Sequence, residues 1–203
     1  MAQLRTITDF KSQLKGGGAR PNLFEVNLGG SILGDLGWAD DAQTDFHFLC
    51  KATSMPTQTI GSVDVPFRGR ILKVAGDRTF EPWSVTVIND EAFNIRSVFE
   101  KWGDKINGLH DGVGLVEPQS YMGNGTVAQL SRSQGGETAK TLQSYMVQDI
   151  WPSEIGSIDL SYESSDAIEE FTVTFQVQYM SVLNQNAGNS ALGEPLGVAE
   201  ASN

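Results

Sequence analysis

The chain has 203 residues, 14 lysines and arginines against 25 aspartates and glutamates, a formal net charge of −11 and a single cysteine. That length fits one ordinary domain or two small ones, and the 39% hydrophobic content is enough for a packed core. The acid excess argues against a protein that wraps phosphate backbones, which needs clustered Lys and Arg to release counterions, and one cysteine, Cys50, leaves no internal disulfide and no cysteine metal cluster.

The pattern begins with an arm, residues 1–18, in which Leu4, Ile7, Phe10 and Leu14 recur every three or four positions. This spacing predicts a short docking helix, and Lys15-Gly16-Gly17-Gly18 predicts a hinge after it. The arm has no apolar core of signal-peptide type and no later run is long enough to span a membrane, so the chain is expected to be soluble and intracellular when made. Asn22 to Leu28 alternates as a strand with Phe24, Val26 and Leu28 on one face. Gly29 to Asp41 reads as a loop anchored by Ile32, Leu33, Leu36 and Trp38, and the alternation of Phe46, Phe48 and Cys50 predicts a second strand, ended by Met55-Pro56. Thr57 to Ala75 reads as a long hairpin followed by a Gly76-Asp77 turn, and Trp83 to Ile88 as the clearest strand in mid-chain.

The period then changes. Asn89 or Asp90 is the expected N-cap and Glu91 the first-turn acid of a helix that places Ala92, Ile95, Phe99 and Trp102 on one face and stops at Gly103. Asp104 to Gly125 is glycine-rich and reads as a long loop. Strands are predicted over Thr126–Ser131 and Leu142–Trp151 around a Gly135-Gly136 turn, with Pro152 breaking the second. Ile158, Leu160 and Tyr162 predict another strand, Ser164-Ser165-Asp166 a turn, and Phe171 to Tyr179 a long strand with one apolar and one uncharged polar face. Asn184 to Asn203 carries too few apolar residues to order alone and is expected to be a flexible tail.

Catalytic chemistry is thin. On a strand, His47 and Cys50 point to opposite faces, which spoils both a nucleophile pair and a shared metal. His110, with Asp104 and Asp111 nearby, sits in the glycine-rich loop without a nucleophile or a second histidine in reach. The glycines of residues 15–18 and 112–114 lack the spacing that cradles phosphates. Asp90-Glu91 suits helix capping, and Glu169-Glu170 suits solvated positions leading into a strand. Asn124-Gly125-Thr126 matches a glycosylation sequon without a secretion signal beside it. No catalytic residue, metal ligand or cofactor is expected. Arg68, Arg70, Lys73 and Arg78 form the densest basic cluster, and in so acidic a chain they suggest a contact with an acidic neighbour.

Five blocks, in order, carry a resemblance: ARPNLFEV at residues 19–26, FLCKATSMP at 48–56, VAGDRTFEPWSVTVINDEA at 74–92, WPSEIG at 151–156 and IEEFTVTFQVQY at 168–179. Together they resemble the tail tube proteins of contractile-tailed, T-even-like bacteriophages, within the wider group that includes inner tubes of contractile injection particles. Under this resemblance residues 1–18 are an N-terminal arm, 19–182 the tube domain with insertions over 29–44 and 103–125, and 183–203 a flexible tail.

The resemblance implies a mainly β fold, an antiparallel β-sandwich or split barrel with one flanking helix, whose subunits join sheets into a hexameric ring. It further implies that rings stack into a hollow tube inside a contractile sheath, a conduit for genome ejection. The partners implied are other copies of the chain, the sheath protein, and the baseplate and tail terminator proteins, with DNA passing through the lumen without specific binding. The expected location is the virion, after synthesis in the host cytoplasm. Within that frame Arg68, Arg70, Lys73, Asp77 and Arg78 are candidates for ring-to-ring contact. Asp149, Glu154, Glu163, Asp166, Glu169 and Glu170 are candidates for an acidic lumen wall. Asn94, Arg96, Glu100 and Lys101, on the outer side of the expected helix, are candidates for facing the sheath. The rival readings are the inner tube of an injection particle carrying protein cargo, and a monomeric β-sandwich that binds a ligand through residues 103–125.

Overall fold

A computed structural model describes residues 6–14, 18–38, 40–132, 140–163 and 166–183. In chain order these residues form α1 (Ile7–Gln13), β1 (Phe24–Gly29), α2 (Ser31–Asp35), α3 (Asp40–Leu49), β2 (Cys50–Thr53), β3 (Gln58–Phe67), β4 (Arg70–Phe80) and β5 (Trp83–Ile88). There follow α4 (Asn94–Ile106), α5 (Pro118–Tyr121), β6 (Gly123–Leu130), β7 (Thr141–Ile155), β8 (Glu170–Gln176) and β9 (Tyr179–Leu183). Every strand pairing is antiparallel, so the expected mainly β class holds.

The fold is organised around β7, a 15-residue strand. Its first part pairs with β6 and β9, and its last five residues pair with β8, so the sheet runs β1-β6-β7-β8-β5-β2 with β9 also on β7. The change of partner falls at Asp149, whose φ of 53° turns the strand in a left-handed conformation that Asp tolerates better than most residues. Pro152, expected to end the strand, is instead buried inside it, beside the register shift between Pro152 and Glu154. A missing N–H costs little where the ladder is already irregular.

The curved sheet encloses one core. Alternation delivers Val26 and Leu28 from β1, Val127 from β6, Val147 and Ile150 from β7, Trp83, Val85 and Val87 from β5, and Phe171, Val173 and Phe175 from β8. α4 closes the core with Ile95, Val98, Phe99 and Trp102, spaced to lie on one helix face. The Phe99 ring meets those of Trp38, Phe46, Phe171 and Phe175, with centroids 5.8–6.4 Å apart. Each such burial is worth roughly 1.5–3 kcal/mol relative to exposure. Two indoles fit only because glycines face them: a Cβ on Gly125 would lie 2.8 Å from Trp83, and one on Gly123 would lie 3.0 Å from Trp102.

Several local expectations change. Residues 40–49 are helical, because Phe46, Leu49 and Cys50 follow three- and four-residue spacing toward the core while Phe48 is left 75% exposed. His47 therefore lies on a helix, with its Nδ1 3.6 Å from Glu25. The loop over residues 29–41 contains α2, whose Ile32 and Leu33 are buried. α4 begins at Asn94, later than expected: Asp90 accepts a hydrogen bond from the Asn94 N–H at 3.0 Å, Phe93 takes a φ of 56°, and Ala92 is exposed. The helix runs through Gly103 to Ile106, and α5 and the start of β6 occupy part of the expected long loop.

Gly76-Asp77 is not a turn. Opposite Gly61 it is an irregularity in the ladder, and β4 continues past it to Phe80. Residues 157–163 form no strand, and the expected strand from 171 to 179 is broken at Val177-Gln178, so that β8 and β9 pair with different parts of β7. The Lys15-to-Gly18 hinge in part, the Gly135-Gly136 turn, Ser164 and Ser165 of the next turn, and the tail after Leu183 lie outside the described residues.

Candidate assembly surfaces

β3 and β4 form a sheet of their own, in which all of β3 and nearly all of β4 is exposed. The hairpin leaves the sandwich between β2 and β5, where Trp83 Nε1 donates to Thr53 Oγ1 at 2.9 Å and to the Ser54 carbonyl at 3.1 Å. Its tip is a two-residue turn with Phe67 opposite Arg70 and positive φ at both central residues, 47° at Arg68 and 80° at Gly69. This is the primed turn whose twist matches the strands, with glycine at the second central position. The Arg68 guanidinium lies over the Phe67 ring, 5.4 Å from its centroid.

Cross-strand pairing sorts the side chains into two faces. Val63 with Val74, Val65 with Leu72, and Phe67 with Arg70 share one face; Asp64 with Lys73 and Pro66 with Ile71 share the other. The first is an apolar surface that nothing among the described residues covers, with Phe67 68% exposed. A two-stranded hairpin in water is at best marginally stable. Contiguous exposed apolar surface of this kind is characteristic of interaction sites.

The five expected ring-contact residues all lie on this hairpin but do not make one patch. Arg68 is at the tip, Arg70 ends the apolar face, Lys73 is on the opposite face beside Asp64, Asp77 is in the ladder irregularity, and Arg78 lies beyond it opposite Ile60. The apolar residues between the basic ones are not among the expected contacts. Their signal was present as matched alternation in two strands joined by Arg-Gly, but alternation does not say whether a face has a partner.

At the other end of the β5–β8 sheet, residues 156–161 and 167–172 enclose a cleft of about 620 Å³. Glu154, Asp159, Glu169 and Glu170 border it together with Ile158, Leu160 and Ile168. Leu160 and Ile168 are 80% and 76% exposed. Glu170 is paired with Lys51, and Glu169 accepts from Asn89 Nδ2 at 3.1 Å. The floor is held from below by Arg96, which donates to the Gly156 carbonyl at 3.0 Å, lies 5.3 Å from the Phe171 centroid and binds Glu100 at 2.8 Å.

Of the six acids expected in the lumen, Glu154, Glu169 and Glu170 therefore gather at this cleft. Glu163 and Asp166 are exposed on the segment beyond it, and Asp149 is at the bend of β7, where its N–H donates to Asn124 Oδ1 at 3.3 Å. Of the four residues expected to face the sheath, Asn94, Glu100 and Lys101 are exposed, whereas Arg96 is largely covered.

Among the described residues nothing covers α1: Ile7, Phe10 and Leu14 are exposed, and its start is fixed by a reciprocal cap between Thr6 and Asp9. Hydrogen bonds from the Thr6 backbone and side chain lower the Asp9 pKa. Burial pushes the Cys50 thiol up to about 12, which makes it a core residue rather than a nucleophile. His110 is exposed in the loop after α4. Among the described residues, no three His, Cys, Asp or Glu side chains gather as a metal site, and no helix is long and apolar enough to cross a membrane.

The profile of the phage tail tube protein family matches residues 19–182. The tail tube protein gp19 of Enterobacteria phage T4 is 35% identical over 162 residues, covering 79% of this chain and 90% of that protein. The tail tube protein of Serratia phage KSP90 is 26% identical over 171 residues, covering 83% and 92%. In shape the chain is similar to one in the cryo-EM structure of the anti-feeding prophage baseplate, with a TM-score of 0.57, 13% identity and coverage of 83% of this chain and 97% of that one. It is also similar to one in the sheath–tube complex of an extracellular contractile injection system, with a TM-score of 0.51, 16% identity and coverage of 84% and 95%.

Proposed function

Because the chain belongs to the phage tail tube protein family, we propose that it is the repeating subunit of a hollow tail tube, assembled as hexameric rings that stack within a contractile sheath and conduct the genome on ejection. The observation that carries the assembly step is the bare apolar face of the β3–β4 hairpin, which has no partner among the described residues. A subunit that makes such a face in every copy gains from covering it with another copy. A head-to-tail contact of that kind repeats as a ring or a stack.

The basic residues of the hairpin, Arg68 and Arg70 foremost, then belong to the contact between rings. The solvent side of α4, with Asn94, Glu100 and Lys101, is the surface offered to the sheath. Baseplate and terminator proteins meet the two ends of the stack. A subunit of net charge −11 offers a passing duplex little cationic surface to bind, which suits a conduit. Identity of 35% to a phage tail tube protein favours the phage tube over the injection-particle inner tube, to which only the fold is similar.

Negative-stain electron microscopy of the purified protein over a concentration series, with light scattering for mass, tests this reading. Six-fold rings or hollow tubes are expected. A monomer at every concentration, unchanged by added sheath or baseplate extract, contradicts it and favours the monomeric binding module.

A further inference from the structure

The hairpin and the acidic cleft sit at opposite ends of one sheet. The hairpin leaves where β2 ends and β5 begins, with Thr53 paired to Val85 and Trp83 paired to Phe175. The cleft opens where β5 ends and β8 begins, with Ile88 paired to Glu170. Five residue steps of about 3.4 Å separate the two ends, roughly 17 Å along the strands. A hairpin rooted at one end and a recess at the other is the arrangement of a contact that propagates in one direction.

The two surfaces also match in chemistry. The tip offers Phe67 on one face and Ile71 on the other, both exposed, with Arg68 at the turn and Arg70 beside Phe67. The recess offers Leu160 and Ile168, both exposed, beside carboxylates. Two of those carboxylates are already engaged, Glu170 by Lys51 and Glu169 by Asn89. Among the described residues Glu154 and Asp159 have no ion pair, and neither do Arg68 and Arg70. At about 620 Å³ the cleft is within the size range, roughly 300–1,000 Å³, of recesses that take compact occupants.

We propose that the cleft is the socket for the hairpin tip of a second copy of this chain. Phe67 and Ile71 pack against Leu160 and Ile168, and Arg68 and Arg70 face Glu154 and Asp159. This rests on the tube reading above and deepens it by naming the receiving surface. Arg96 acts as a positioning residue here: it touches no tip residue and holds the Gly156 carbonyl and the Phe171 ring that form the floor.

A charge exchange tests the pairing. The tip variant Arg68→Asp/Arg70→Glu keeps the turn, because Asp-Gly suits the primed geometry; the socket variant is Glu154→Arg/Asp159→Arg. Each alone is expected to form rings but to need roughly 100-fold more protein to stack, tenfold for each inverted pair. All four changes in one chain, or an equal mixture of the two variants, is expected to restore stacking to within tenfold of the parent. Variants that stack like the parent would overturn the socket. So would failure of the exchange to rescue while rings persist, or loss of the rings themselves, which would place the contact within a ring. In each of these cases the parent still forms tubes; a parent that forms neither rings nor tubes instead removes the tube reading.

Discussion

β5 and the β3–β4 hairpin are written in the same residues and meet opposite fates. In β5, Trp83, Val85 and Val87 alternate with polar residues and are buried. In the hairpin, Val63, Val65, Leu72 and Val74 alternate in the same way and remain exposed. The difference lies in what each face meets. Phe175, Phe171 and α4 pack with β5, whereas the hairpin is a separate sheet whose faces nothing among the described residues covers. One region is stabilised within the subunit and the other, on the proposed reading, by assembly, so substitutions in the two should fail in different measurements.

The largest effect is expected in the core. Phe99→Ala removes a ring that touches four other aromatic rings and should destabilise the subunit by about 3–5 kcal/mol in chemical denaturation. The matching change in the hairpin, Phe67→Ser with Leu72→Ser, should leave subunit stability within about 0.5 kcal/mol of the parent. It should raise the concentration needed for tube formation at least tenfold, read by light scattering. Equal effects of the two in denaturation would erase the distinction.

A smaller effect sharpens it at the cleft. Arg96→Ala frees the Gly156 carbonyl and uncovers Phe171, and should cost about 1–3 kcal/mol, whereas Lys101→Ala, one position from Glu100 on the exposed side of α4, should cost almost nothing. The smallest effect concerns Cys50. Because burial raises its folded pKa to about 12 from 9.0, its contribution to stability is complete below pH 9.0 and is lost as pH rises from there through about 12. At pH 8 a thiol reagent should label it slowly in the native protein and rapidly after denaturation. Fast labelling of the native protein would show that β2 and α3 are not closed over the core.

Much of the sandwich was legible because alternation and burial agree in β1, β5, β6 and β8. The hairpin was legible as a hairpin, and its basic tip was singled out. Local pattern failed where tertiary contacts decide. Phe46 and Phe48 alternate like a strand, but the core takes Phe46, Leu49 and Cys50, which is helical spacing. Pro152 signals a break, yet β7 continues through it because two partners, β8 and β9, lie along its edge. The cleft was not legible: Glu154 and Ile168 are 14 positions apart, and they meet only because β7 and β8 pair. Charge and the family resemblance single out the acids there as lumen candidates, but neither brings in the neighbouring apolar residues that give the recess its character.

Whether another subunit completes the hairpin can be read from amide hydrogen exchange measured on free subunits and on assembled tubes. Amides of β5 and β8 should be protected in both, while those of β3 and β4 exchange quickly in the free subunit and slow at least tenfold in the tube. Hairpin amides with the same protection in both states would contradict it.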